Sequence, residues 1–173
     1  MMIEVPDPEA LSAYYRTYLK YVNPGDDLLE LIRVQQDKTK KFLAAIPEEK
    51  ALLRYAPGKW QLKEVAGHVC DTERILACRI LRISRRDRTP LPGFDENTYT
   101  PASNYSRRAL GNIAAELHTV REATLSLLEN LDAEMIDLKG IANDEEISVR
   151  AIVFMIYVHQ EHHMNVIREK YLA

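Results

Sequence analysis

Apolar residues recur at three- and four-residue spacing along most of the chain, the pattern of amphipathic helices rather than strands. Leu28, Leu31, Ile32, Gln35, Thr39, Phe42, Leu43 and Ile46 predict a first long helix from about Asp26 to Ile46, closed by Pro47. After the turn Ala56-Pro57-Gly58, Leu62, Val65, Val69, Thr72, Ile75, Leu76, Ile80 and Ile83 predict a second, from about Gln61 to Arg86. Leu110, Ile113, Leu117, Val120, Thr124, Leu127, Leu128 and Leu131 mark a third, with Ser106 as its candidate N-cap. Ser148 can cap a fourth, whose face runs through Ile152, Met155, Ile156, Val166 and Ile167 to Tyr171. Ahead of these, Asp7 to Tyr21 predicts one short helix ended by Asn23-Pro24-Gly25 and packed across the larger body.

Two long connections separate these helices. Asp87 to Tyr105 carries Pro90, Pro92, Gly93 and Pro101, enough breakers to predict no regular helix, and Asp132 to Ile147 is the second. Antiparallel bundle neighbours are normally joined by about 2 to 8 residues, so the longer connection points to a crossover between parallel helices. Fully extended it reaches about 60 Å, more than the roughly 39 Å of the second helix. The expected fold is therefore all-α: a four-helix bundle, for which an up-down-down-up order is feasible, with a short extra N-terminal helix. Residues 1–25 form an extension and 26–173 the bundle domain.

Composition narrows the function classes. With 46% hydrophobic and 28% charged residues the chain is an ordinary globular domain, and 23 basic against 26 acidic residues leave a net charge of -3. That balance supplies no field to attract a nucleic-acid backbone. No apolar run approaches a membrane span, and Met1 to Pro8 lacks signal-peptide character, so the expectation is a cytoplasmic protein. Cys70 and Cys78 are eight residues apart on one predicted helix, about 12 Å along its axis, too far for a disulfide. Both read as buried thiols.

His159 and His163 stand four apart on the last helix, one turn apart on a single face. They fall on what reads as the inward stripe, where two unpaired imidazoles are costly and a shared ligand removes the cost. His68 lies on the core side of the second helix and can supply a third nitrogen. Antiparallel packing of these two helices brings all three to similar depth. From spacing alone a hydrogen-bonded histidine pair and a metal site both remain open. His162, rotated about 100° from His163, and His118, off the stripe of its helix, read as surface residues. A zincin helix is excluded because Gln160 stands where that motif needs glutamate, and a di-iron bundle because no glutamate has a histidine three residues later.

Further matches carry a resemblance. Ala56-Pro57-Gly58-Lys59-Trp60, Lys63-Glu64-Val65, Gly67-His68, Asp71-Thr72-Glu73-Arg74, Thr89-Pro90-Leu91-Pro92-Gly93-Phe94-Asp95-Glu96, Val120-Arg121, Ser148-Val149-Arg150-Ala151, His159 and Glu161-His162-His163 occur in order. Over roughly Asp26 to Leu172 the chain resembles the DinB/YfiT-like family of metal-binding four-helix bundles. The resemblance implies an up-down-down-up bundle, His68, His159 and His163 as ligands of zinc or nickel, and frequent homodimers. It also implies activity as a thiol-dependent S-transferase of the bacillithiol or mycothiol type, or as a hydrolase.

Three neutral imidazoles leave a divalent cation with an open position and uncompensated charge. Such a site can present a low-molecular-weight thiol as thiolate to a small-molecule electrophile, or activate water against small esters or amides. A third reading is a stress-response module that binds metal without turnover. Thiol transfer is preferred, because no carboxylate on the predicted histidine face offers a general base. Glu64, one turn before His68, and Asp71, three residues after it, are candidates to orient its imidazole, against the plainer reading of a solvated face. Glu73 and Arg121 are a candidate inter-helix ion pair. Arg79, Arg82, Arg85, Arg86 and Arg88, with Arg107 and Arg108, form a basic cluster that the helix dipole explains, with an anion patch as the alternative. Trp60 reads as a packing residue, and Phe94 and Tyr99 as candidates for a pocket mouth.

Overall fold

A computed structural model describes residues 1–173, and four long helices make its core. They are α1 (Leu28–Ala44), α2 (Leu62–Ser84), α3 (Leu110–Glu129) and α4 (Val149–Val166), the last continued by a π turn, Ile167–Tyr171. Each starts where a side chain answers free backbone N–H groups. Asp27 Oδ1 accepts from Leu29 N and also from Ile3 N, both at 3.0 Å, which ties the N-terminus to α1. Glu64 Oε2 accepts from Gln61 N at 2.6 Å, and Ser148 Oγ from Ala151 N at 3.1 Å. The start of α3 departs from expectation. Ser106 lies in a separate turn, Tyr105–Arg107, and Leu110 N donates instead to Glu48 Oε2 at 2.8 Å, a cap borrowed from distant chain.

Each long helix packs against two others: α2 against α3 and α4, and α1 against the same pair. Lys63 Nζ reaches Arg108 O and Arg74 reaches Glu116, so numbers rise together along α2 and α3. They run oppositely along α1 and α3, where Arg33 meets Glu129 and Gln36 meets His118 O. Two apolar clusters fill the bundle. One gathers Ile32, Ile80, Leu128 and Phe154, and the other Leu43, Val65, Ile113 and Met164.

Arg121, only 1% exposed, donates to side chains and backbone from the other three long helices. Its Nε and Nη2 grip the two carboxylate oxygens of Glu73 on α2 at 2.7 and 2.9 Å. Nη1 donates to Ile32 O and Gln35 Oε1 of α1, and Nη2 also to Gln160 Oε1 of α4. All five guanidinium N–H groups thus have acceptors. The expected ion pair of Glu73 and Arg121 is the hub of a four-helix network.

The segments between helices are more structured than the pattern predicts. Asp7 to Tyr21 forms three single turns, Pro8–Ala10, Ala13–Arg16 and Leu19–Tyr21, because Leu11 adopts extended backbone and Ser12 starts a fresh turn by accepting from Tyr15 N. Within the proline-rich connection a helix forms at Glu96–Ala102, since Asp95 accepts from Asn97 N and Thr98 Oγ1 and Pro101 falls in the last turn. The second connection folds into a hairpin, β1 (Lys139–Ala142) and β2 (Glu145–Ser148), turned by Asn143 and Asp144 at φ 55° and 62°. Leu91 pairs with it through Leu91 N to Ile141 O at 2.9 Å, which holds the proline-rich loop against the bundle. No helix is long and apolar enough to cross a membrane.

Gly67 allows the same loop to dock lower down. A Cβ there would lie 2.2 Å from the ring of Tyr105, whose hydroxyl donates to Asp71 Oδ1 at 2.8 Å. Two outcomes follow for stability, both read from urea unfolding. Arg121→Met strands the Glu73 carboxylate and lowers stability by about 3–5 kcal/mol, whereas adding Glu73→Leu to it recovers a large part of the loss. Gly67→Ala forces the Tyr105 ring off α2 and costs about 1–3 kcal/mol, a penalty that Tyr105→Ala in the same chain reduces.

Candidate metal centre

Antiparallel contact between α2 and α4 sets the depth of the histidines. Tyr171 OH donates to Trp60 O at 2.7 Å at one end of the pair, and two to three turns further in His68 meets His159 and His163. His68 Nε2 and His163 Nε2 each lie 3.1 Å from His159 Nε2, and all three nitrogens fall within 4.8 Å of one another. His68 and His159 are buried and His163 is partly open.

Burial makes these imidazoles poor bases. It pushes His68 down to about 4, opposed only by the Glu96 carboxylate. His159 and His163 lie well below the ordinary value, first through burial and then through neighbouring imidazoles. All three are neutral at pH 7, the form that ligates. Three Nε2 atoms converging on one point are poorly matched to each other as hydrogen-bond partners, because a single proton bridges only two of them. A cation accepts all three lone pairs. Nitrogens around one tetrahedral ion at about 2.0–2.1 Å stand about 3.3 Å apart, close to the spacings observed. The site is able to coordinate a divalent metal, and its donors are three neutral nitrogens with no carboxylate among them.

The histidines open onto a cavity of about 500 Å³. Leu76, Met155 and Thr72 line it from α2 and α4, Tyr15 and Tyr18 from the N-terminal turns, Phe94 and Glu96 from the proline-rich loop, and Glu145 and Glu146 from β2. Phe94 therefore sits where the sequence places it, while Tyr99 packs on Phe94 at 5.3 Å and stays outside the lining.

Glu64 and Asp71 do not bond to His68. Glu64 is held by the α2 N-terminus and by Arg54 at 3.2 Å, and Asp71 by the Tyr105 hydroxyl and by Arg74 at 3.7 Å. Trp60 is more than packing, for its ring lies 5.0 Å from that of His68 and lines the cavity. His162 is not a plain surface residue. It also lines the cavity, and its Nδ1 lies 3.1 Å from the Tyr21 hydroxyl. His118, half-buried, stands 3.7 Å from Glu122, away from the site. Cys70 is buried as expected, its thiol pushed up to about 12 by that burial, whereas Cys78 is exposed.

Sequence reasoning missed Glu96 and the tyrosine wall, which loop and turn geometry alone bring to the histidines. Arg79 did leave a signal. It stands eleven residues after His68, within about 20° of it around the helix, and it lines the same cavity.

Comparison with known proteins agrees with this architecture. YfiT from Bacillus subtilis, described as a probable metal-dependent hydrolase with an unusual four-helix bundle topology, superposes with a TM-score of 0.71 at 17% identity, covering 96% of this chain and 91% of that one. A DinB-like protein from the same organism, YjoA, superposes with a TM-score of 0.58 at 16% identity, covering 81% of this chain and 85% of its own. At these identities the likeness establishes fold. No curated protein matches by sequence. The family model of the DinB superfamily matches residues 31–167, most of the chain, and the protein belongs to the DinB superfamily.

Proposed function

We propose that the chain is a metal-dependent hydrolase of small esters or amides, acting through a divalent ion held by His68, His159 and His163. The observation that carries this reading is the convergence of three neutral Nε2 atoms on the wall of an open 500 Å³ cavity. Zinc and nickel both suit an imidazole set. Held there, such an ion would lower the pKa of a bound water to near 7 and would polarise a substrate carbonyl. Glu96 takes up a proton at a carboxylate oxygen and returns it to the leaving group. Leu76, Met155 and the tyrosine wall exclude bulk water and hold the apolar part of the substrate.

Glu96 changes the balance between the two chemistries. Thiol transfer was preferred on sequence because no carboxylate shared the histidine face, and a carboxylate lining the cavity removes that reason. The likeness to YfiT, itself described as a probable metal-dependent hydrolase, points the same way. The reading takes the bundle as up-down-down-up, supported by the pairings of α2 with α3 and of α1 with α3. Residues 1–25 then act as an extension that roofs the cavity.

Elemental analysis and thermal unfolding test the centre. The purified chain carries one divalent ion, and His68→Ala, His159→Ala and His163→Ala each lose most of it. Free metal at a hundredfold excess over its Kd adds about 2.7 kcal/mol to the wild type, and a chelator reverses the gain. A wild type without stoichiometric metal overturns the proposal.

Cleavage of para-nitrophenyl acetate tests the reaction. Metal-loaded protein cleaves it without added thiol, and Glu96→Gln lowers kcat by about 10²–10⁴ while metal content holds. Consumption of bacillithiol or mycothiol by an electrophile, with no thiol-free hydrolysis, would reinstate S-transfer. Bound metal with neither activity would leave a binding module.

A further inference from the structure

The bundle holds two nearly buried arginines, and they are treated differently. Arg121 has acceptors for all five N–H groups. Arg79, 8% exposed, makes one hydrogen bond, Nη2 to Pro92 O at 2.8 Å, and no ion pair. Two nearby arginines are paired, Arg82 on α2 with Asp87 at 2.7 Å and Arg86, just past its end, with Glu134 at 2.6 Å. The sealed side-chain atoms without partners are Gln61 Oε1, Thr72 Oγ1 and His118 Nδ1. No nitrogen of Arg79 is among them, so its unpartnered N–H groups keep access to open space, and the space it lines is the histidine cavity. Glu96, Glu145 and Glu146 line the same cavity, but none of them pairs with Arg79, so its free N–H groups are left for an anion that arrives with the ligand.

We infer that Arg79 is the anchor for a carboxylate at the end of the substrate remote from the metal, so that the hydrolase acts on esters or amides that carry a terminal carboxylate. The inference rests on the hydrolase reading for the reaction but not for the binding. A guanidinium matches a carboxylate with two parallel hydrogen bonds. Glu96, Glu145 and Glu146 line the same cavity and disfavour a doubly charged phosphate more than a singly charged carboxylate. The eleven residues from His68 span about 16 Å of helix, and the Arg79 side chain leans back toward His68. The carboxylate and the cleaved carbonyl are therefore separated by a chain of several carbons, which Leu76, Met155, Tyr15 and Tyr18 can cover.

The test uses metal-loaded full-length protein and the para-nitrophenyl monoesters of glutaric, pimelic and azelaic acid, each against its chain-matched neutral alkanoate ester. The wild type shows a kcat/KM preference for the acid-ended ester of about tenfold or more at one chain length. Arg79→Gln brings that preference close to unity, and Arg79→Lys, which keeps the charge without the fork, retains part of it. A wild type without preference at any length, or a preference unchanged in both variants, overturns the inference. If no ester is cleaved, the hydrolase reading fails and calorimetry with pimelate decides the anchor. Binding weakened at least tenfold in Arg79→Gln and by less in Arg79→Lys, at unchanged metal content, upholds the anchor. Equal binding in all three proteins, or none in the wild type, overturns it. Arg79→Lys keeps the test open should Arg79→Gln fail to fold.

Discussion

A guanidinium does not give up its proton inside a protein, so burying Arg121 obliges the bundle to bring it five acceptors and a counter-charge. They come from Glu73 on α2, Ile32 and Gln35 on α1, and Gln160 on α4. Apolar stripes tolerate sliding, because one methyl group replaces another at small cost. A bidentate ion pair between nearly sealed side chains does not, since a shift of one residue turns a helical side chain by about 100° and leaves both charges buried and unpaired. The network therefore selects one register for four helices where hydrophobic packing alone would accept several.

The histidines depend on that register. Gln160 directly follows His159 and Glu73 stands five residues after His68, so the contacts that lock α2 and α4 to Arg121 also set the histidines at one depth. Gln160 is further fixed by Thr39 Oγ1 at 2.7 Å, and Gln35 reaches Tyr157 O and Glu161 on either side of it. The position that excluded a metalloprotease helix thus has a structural task of its own. A glutamate there would add a second negative charge to a pocket whose single cation is already matched by Glu73.

What the sequence made legible was whatever depends on helical period. The four long helices and the meeting of His68 with His159 and His163 follow from residues three, four or seven apart and from comparing depths, the Ser148 cap follows from residue type, and the Glu73–Arg121 pair was no more than a candidate. What stayed hidden depends on chain brought from elsewhere. The start of α3 is answered by Glu48, more than sixty residues upstream, and no local pattern carries that. Glu64 and Asp71 share a helix with His68, yet partners outside the pattern, Gln61 N and the Tyr105 hydroxyl, claim them. The hairpin is a different case. Asn143-Asp144 is a local turn signal between short runs, and it was legible had the connection been read for period two as well as 3.6.

The cavity joins these threads in its electrostatics. A divalent ion held by His68, His159 and His163 would keep its whole charge for whatever filled the remaining coordination, since three neutral ligands do not offset it. Such an ion would stabilise a carbonyl oxygen that gains negative charge under attack more than the ground-state carbonyl, which is the condition for lowering a barrier rather than merely binding. A carboxylate ligand would have spent much of that field on itself. The carboxylates that do reach the cavity stand on its loop and hairpin side, at Glu96, Glu145 and Glu146, off the two helices that carry the histidines. There they stand clear of the donor set, so the site divides into helix-borne nitrogens and loop-borne carboxylates, a division that fits the hydrolase proposed above.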